Sequence, residues 1–303
     1  MTQSRRFGRY TVELSKPDKP LFDEAGISKA DLVDYHVKRA DLILPHLEDR
    51  ALTLLRCPDG VAGDCFYQQH HPDHFPDWLA PVSLPARDGS IAHIVVRRAA
   101  DLAYLVNQGA IEFHAWLSRA GRPDGADLMI FDLDPPDGDF TPVRRAALAL
   151  RDLFERIGVA CFVKLTGSRG LHVVLPLDGR ADFDAMRALA RRIADRLAAD
   201  HPDSLTVAQR KAKRGGRLYL DVMRNAYGQT AVAPYSPRAR PEASVAAPLT
   251  WAEVEQGRVG PRDITIATLD RWLDRRGDPW AGMRRHARSL DGLARAFARI
   301  ADD

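Results

Sequence analysis

The sequence predicts an α/β (α+β) protein built around a split βαβ core, β-α-β-β-α-β. Three observations carry that expectation. Short apolar runs of strand length alternate with long amphipathic stretches between residues 126 and 223. Two of those stretches keep helical spacing: Val143, Ala146, Ala147, Leu150, Leu153, Phe154 and Ile157 form one stripe, and Phe183, Met186, Ala190, Ile193 and Leu197 the other. Glycines and prolines fall between the runs rather than within them.

Residues 1–125 read as an N-terminal α/β lobe packed on that core. Ser28 followed by Asp31 resembles a capping box. It opens a helix through Leu32, His36, Ala40 and Ile43 that should stop near Pro45. Strands are expected at 51–56 and 91–96. The stretch 70–85, rich in Pro, Asp and His, reads as a long loop, which in a compact domain is usually functional or mobile.

In the core, 127–134 (DLMIFDLD) is an apolar strand ended by Pro135-Pro136. Thr141-Pro142 starts the first helix. A strand at 160–165, a turn at 167–170 and a strand at 171–175 closed by Pro176 follow. After the second helix comes a fourth strand at 218–223. Residues 224–303 read as loop, notably 234–248, and then as helices at 264–272 and 281–300. The whole chain, 1–303, is expected to form a single domain.

Composition excludes several classes. Hydrophobic residues make up 45 % and charged residues 28 %, so the chain is not disordered. It has no run of roughly 18 apolar residues, so no membrane span is expected. The N-terminus lacks an apolar signal core, which argues against secretion. Cys57, Cys65 and Cys161 form no CxxC pair, so neither a disulfide framework nor a cysteine-rich zinc site is expected, and a cytoplasmic location fits. A net charge of +3 does not by itself announce nucleic-acid binding. Only seven of the 44 cations are lysine; arginine forks suit phosphate, but nucleotide bias in the gene would enrich arginine equally.

The predicted topology gathers chemistry. Asp132 and Asp134, two apart on a strand, share a face. The third strand should bring the Ser168–His172 turn beside them, and the fourth should bring Asp221. Phe131 and Leu133 would then pack on the helices. Three crowded carboxylates repel one another unless a cation sits among them. Oxygen donors select hard ions such as Mn²⁺ or Mg²⁺. Two such ions roughly 3.5–4 Å apart can clamp the attacking and leaving oxygens of a phosphoryl transfer. A DxD pair alone would also be a harmless strand end. The turn 166–172 (TGSRGLH) offers backbone N–H groups, Arg169 and His172 to an anion, although the same residues make an ordinary hairpin.

FDLDP at 131–135, SRGLH at 168–172 and YLDV at 219–222 resemble the three motifs of the archaeo-eukaryotic primase superfamily. More closely, the chain resembles the polymerase domain of bacterial ligase D, an end-joining enzyme. LSKPDKPLF at 14–22, GISKADLVDYH at 26–36, RCPDG at 56–60, NAYGQTAVAPYSPRAR at 225–240 and VAAPLTW at 245–251 extend the likeness over nearly the whole chain. The resemblance implies a primase-polymerase fold and a template-directed nucleotidyltransferase that adds NTPs or dNTPs to a primer 3′-hydroxyl and fills gaps during double-strand-break repair. It implies that Asp132, Asp134 and Asp221 bind divalent ions, typically Mn²⁺. Ser168, Arg169, His172 and Arg238 would hold the triphosphate, and His114 and Arg56 would join the nucleotide pocket. Phe66 and Tyr67 would stack on bases, and Lys19 and Lys29 would hold the 5′-phosphate of a DNA end. Ku and a DNA ligase are the implied partners. Arg169 stands where some relatives have lysine, and Leu55 where some carry a further cation.

Two rival readings remain. One is an end-bridging module that recognises a 5′-phosphate with weak or no polymerase activity. The other is a metal-dependent phosphohydrolase. DLDP is superficially similar to a DxD nucleophile motif, but Pro136 stands where those enzymes usually carry a small residue such as threonine.

Overall fold

The computed structural model describes residues 2–86, 88–135 and 137–301. Pro136, expected to help end the first core strand, lies outside the described residues. The chain divides into two compact units. The first comprises Met1–Trp116, Thr230–Ala246 and Ile264–Trp272; the second comprises Leu117–Gln229, Ala247–Asp263 and Leu273–Asp303. The regions read from the sequence, 1–125, 126–223 and 224–303, are consecutive, whereas the units are interleaved. The chain returns to the first unit because the Thr230–Val232 strand pairs with Ala110–Trp116.

The first unit holds an antiparallel sheet ordered Thr230–Val232, Ala110–Trp116, Leu52–Arg56, Phe66–Gln68. Ser28 caps the Lys29–Lys38 helix in a capping box with Asp31, as the sequence predicts. The helix does not run on to Pro45. It breaks at Arg39, whose φ of −113° and ψ of 20° leave the helical region. The Arg39 guanidinium lies 4.7 Å over the Tyr35 ring and pairs with Asp270. A second helix, Ala40–Leu47, contains Pro45 in its last turn.

The 70–85 stretch is not a free loop. Val82–Ala86 pairs with Gly89–His93, while Phe75 and Leu79 are buried and His71 Nε2 lies 2.6 Å from the Leu79 carbonyl. Its prolines hid the strand: Pro85 sits in a two-stranded ribbon, where an edge position tolerates the missing N–H.

No disulfide framework is expected from the cysteine spacing, yet the structure holds one bond. Cys57 and Cys65 are joined, and Cys161 is a buried free thiol. Arg56 and Phe66 are directly paired across two strands, which sets the next residues of the hairpin loop opposite each other. Strand register, not a CxxC spacing, makes this bond.

In the second unit, four long-range strands lie in the order Leu218–Asp221, Arg122–Leu133, Leu171–Ala181, Phe162–Leu165. Each neighbouring pair is antiparallel. In chain order this is 4-1-3-2, the split βαβ arrangement. Leu205–Thr206 and Pro248–Leu249 extend its two edges, and Ser118–Arg119 pairs off the main path. The helices Thr141–Arg156 and Phe183–Asp200 bury the predicted stripes from Val143 to Phe154 and from Phe183 to Leu197. Asp182 caps the second helix by accepting from Ala185 N–H.

Several boundaries differ from the sequence reading. The first core strand starts early, at Arg122. Pro176 does not close its strand; it sits opposite Leu128 beside a register shift between Ala126 and Leu128, which accommodates it. The fourth strand stops at Asp221. The helix expected at 264–272 is Leu269–Arg276, and 281–300 resolves into a short 3-10 turn, Met283–His286, and the helix Leu290–Ala301. No helix among the described residues is long and apolar enough to cross a membrane.

Phe131 is fully buried, with its ring centroid 5.8 Å from that of Phe154 on the first core helix. A Phe131→Ala protein should lose about 3–5 kcal/mol of stability, read as a lower urea midpoint. A midpoint within error of the wild type would mean that this strand is not seated on its helix.

Candidate active site

Register places the carboxylates. Asp132 lies directly opposite His172 on one neighbouring strand and opposite Asp221 on the other. Directly paired residues of antiparallel strands project to the same face. Asp132, Asp221 and His172 therefore form a row across three strands. Asp134, just past the end of the Arg122–Leu133 strand, lines one open cleft with Asp132, Asp221, Arg169, Lys211, Arg214 and Tyr219.

The electrostatics of the row are uneven. Burial raises the Asp132 carboxyl, but the His172 ring at 3.4 Å and the Arg224 guanidinium at 3.3 Å outweigh it and hold the group well below the usual carboxylate range. Burial and the nearby Lys164 push His172 down to about 4 despite Asp132. At neutral pH the pair is thus a carboxylate beside a neutral imidazole. Asp134 is raised by burial and by the Asp132 charge, although Arg169, 3.5 Å away, opposes this. Asp221 is raised by burial and also by Asp132, while it accepts from Met223 N–H at 2.8 Å.

This like-charge crowding is what a bound cation would relieve, and the oxygen donors suit a hard divalent ion. As placed, no group of three or more His, Cys, Asp or Glu among the described residues is arranged to hold a metal ion. Arg224 and Arg169 face Asp132 and Asp134 instead. The donor chemistry fits the ion, and these guanidinium groups balance the charge in the state described.

The Ser168 turn is organised by Thr166. Its hydroxyl donates to the Gly170 carbonyl at 3.2 Å and accepts from the N–H of Ser168 and of Gly170. Arg262 donates to the Ser168 carbonyl from a separate segment. Gly170 is required by close approach: a Cβ there would fall on the Leu133 carbonyl oxygen. The turn is therefore packed against the chain that leads into Asp134.

The remaining predicted residues belong to the first unit. Phe66 and Tyr67 are 47 % and 65 % exposed, which removes them from the core. Arg56 lies 5.4 Å over the Phe66 ring and donates to the Gln108 carbonyl. The Tyr67 ring meets the His114 ring edge-on at 5.8 Å. His114 and Arg238 share one partner, the buried Glu112. Lys19 pairs with exposed Asp59 at 2.6 Å, and Lys29 donates to the Ser15 carbonyl at 2.7 Å. Lys29 is buried; burial, together with the charges of Lys19 and Lys16, lowers its pKa.

Sequence reasoning missed four contributors. Glu112 stands two residues before His114 on one strand, so alternation could have found it. Arg224 follows Asp221 closely. Thr166 opens the turn. Asn225 opens the 225–240 motif, but its role is not readable there: its side chain accepts from Ile130 N–H at 2.8 Å and donates to the Ile130 carbonyl at 2.7 Å, tying the segment after Asp221 to the strand of Asp132.

A 4-1-3-2 antiparallel sheet that sets Asp132 in register with Asp221 on one side and His172 on the other defines a fold class rather than one enzyme, and comparison narrows it. The sequence profile "LigD, primase-polymerase domain" matches residues 28–280. The multifunctional non-homologous end joining DNA repair protein LigD of Mycobacterium tuberculosis is 34 % identical over 253 residues, 80 % of this chain and 33 % of that protein. The bifunctional non-homologous end joining protein LigD of Bacillus subtilis is 33 % identical over 271 residues, 89 % of this chain and 43 % of that protein. Among solved structures, the polymerase domain from Mycobacterium tuberculosis ligase D in complex with DNA superposes with a TM-score of 0.84 at 32 % identity, covering 91 % of this chain and 99 % of that one. The chain belongs to the LigD primase-polymerase domain family. It spans well under half the length of these curated relatives.

Proposed function

We propose that the protein is a template-directed nucleotidyltransferase that adds NTPs or dNTPs to a primer 3′-hydroxyl and fills short gaps when broken DNA ends are joined. The observation that carries this reading is the register of Asp132 between His172 and Asp221, in a chain of this family. Mn²⁺ or Mg²⁺ held by Asp132, Asp134 and Asp221 would supply charge stabilisation at the transferring phosphoryl group and a more acidic primer hydroxyl. His172, neutral and fixed beside Asp132, keeps that carboxylate ionised and oriented. Ser168 and Arg169, on a turn held by Thr166, present donors to the triphosphate. In the first unit, His114, Arg238 and Arg56 bind the nucleotide, and exposed Phe66 and Tyr67 offer stacking surfaces worth about 1–3 kcal/mol per base. A role on DNA ends would put the protein at the nucleoid in the cytoplasm, with Ku and a DNA ligase as its proposed partners.

Primer extension on a gapped duplex with a downstream 5′-phosphate tests the reading. Templated addition should require Mn²⁺ or Mg²⁺ and stop with a chelator. Release of phosphate from simple phosphomonoesters, with no extension, would favour the phosphohydrolase instead.

A second reading, an end-bridging module with weak or no polymerase activity, is favoured by one observation. Buried Lys29 carries a charge opposed by two other lysines, a debt that a phosphate dianion would relieve. In either case Lys19→Ala/Lys29→Ala should weaken binding to 5′-phosphorylated gapped DNA about tenfold or more and leave the 5′-hydroxyl duplex unaffected. Fluorescence anisotropy reads this; an equal loss for both duplexes would sink the end-recognition role.

A further inference from the structure

We infer that Glu112 is a positioning residue for nucleotide binding, setting the proton of His114 and the side chain of Arg238 at once. The inference rests on the reading, given above, that His114 and Arg238 contact the incoming nucleotide.

Glu112 is 3 % exposed, on the central Ala110–Trp116 strand. Its Oε2 lies 2.8 Å from His114 Nε2. Its Oε1 lies 3.0 Å from Arg238 Nε and accepts from Ala239 N–H at 2.9 Å. Burial would raise this carboxyl, but the His114 hydrogen bond, the Arg238 charge and the Ala239 N–H together hold it at about 2. The group is therefore an anion at any working pH.

Two consequences follow from that charge. A carboxylate only accepts, so His114 Nε2 must carry a proton, and in the neutral ring Nδ1 is then the acceptor. The same carboxylate fixes Arg238, which lies on a segment with little regular structure. The Ser236 hydroxyl reinforces the docking of that segment by accepting from Phe113 N–H at 2.9 Å. One buried side chain thus orients two nucleotide-binding groups that are far apart in sequence. Burying an anion is costly unless it is paired this fully, which is the pattern expected of a positioning group rather than a filler.

Glu112→Gln tests this. The amide keeps an acceptor for Ala239 but removes the charge that pairs with Arg238, and it turns an N–H₂ toward His114 Nε2, so the imidazole proton should move to Nδ1. The KM for NTP should rise roughly 10- to 100-fold, the scale of a lost charge-assisted hydrogen bond, with kcat and DNA affinity within about threefold. Nitrogen-15 NMR of the His114 ring should show the tautomer exchange, which a purely structural role would not produce. Glu112→Asp, which keeps the charge, should recover part of the KM and serves if the amide variant fails to fold.

An unchanged KM in Glu112→Gln, while His114→Ala and Arg238→Ala each raise it, would overturn the positioning role alone. An unchanged KM in all three would instead remove the nucleotide reading of His114 and Arg238, and this inference with it.

Discussion

An Asp132→Ala protein is expected to extend primers at no more than about one thousandth of the wild-type rate. Asp132 is the middle member of the His172–Asp132–Asp221 row, and it is the carboxyl whose pKa is held down while those of Asp134 and Asp221 are pushed up. Losing it would remove the carboxylate that stands in register with both His172 and Asp221, and with it one of the three proposed ligands of the divalent cation. A deficit of about 4 kcal/mol in transition-state stabilisation corresponds to that thousandfold loss. The exchange also leaves Arg224 and His172 without a shared partner. Thermal melting and DNA binding must therefore be measured beside the rate. Intact folding with lost extension supports the polymerase; extension at full rate in a folded Asp132→Ala protein would end it.

Gly170→Ala should be the most damaging single-methyl change near the cleft. The added Cβ would meet the Leu133 carbonyl oxygen and lie 2.7 Å from Asp134 Oδ1. The carbonyl belongs to the backbone, so the turn or the strand end must move even if the Asp134 side chain swings away. Overpacking of this kind costs about 1–3 kcal/mol or more. Because the displaced atoms are those that place Asp134, activity should fall at least about tenfold even where the protein still folds. Gly121→Ala provides the contrast: its Cβ would meet nothing within 4 Å, and the change should stay within about 0.5 kcal/mol. Equal behaviour of the two variants, in melting temperature and in extension rate, would contradict the packing of the turn against the Leu133–Asp134 chain.

Much of the core was legible because its signals are local. Stripes at helical spacing gave both core helices, and Ser28 with Asp31 gave the first helix start. The β-α-β-β-α-β order then implied which strands neighbour one another, and through them the proximity of Asp132, His172 and Asp221. What escaped was set by register or by distant side chains. The Cys57–Cys65 bond follows from the pairing of Arg56 with Phe66. The break at Arg39 accompanies its pairing with Asp270, far along the chain. Pro176 and Pro85 misled because proline is a stop signal only where its missing N–H would be needed. The partners of Glu112 and Asn225 cannot be read from spacing; burial and exact contacts make these residues matter.

The pairing of Asp132 with Asp221 also says something about when the cleft exists. Its members are drawn from positions 132, 172 and 221, so no local segment contains them together. Closing long loops is slow and costs entropy before contacts repay it. During synthesis, the strands around 132 and 172 leave the ribosome before the strand that carries Asp221. A partly folded chain is thus spared the repulsion that Asp221 adds to the pair Asp132 and Asp134. The cleft is assembled only when the strand of Asp221 arrives, so nucleotide addition would report the docking of that strand rather than the collapse of those before it.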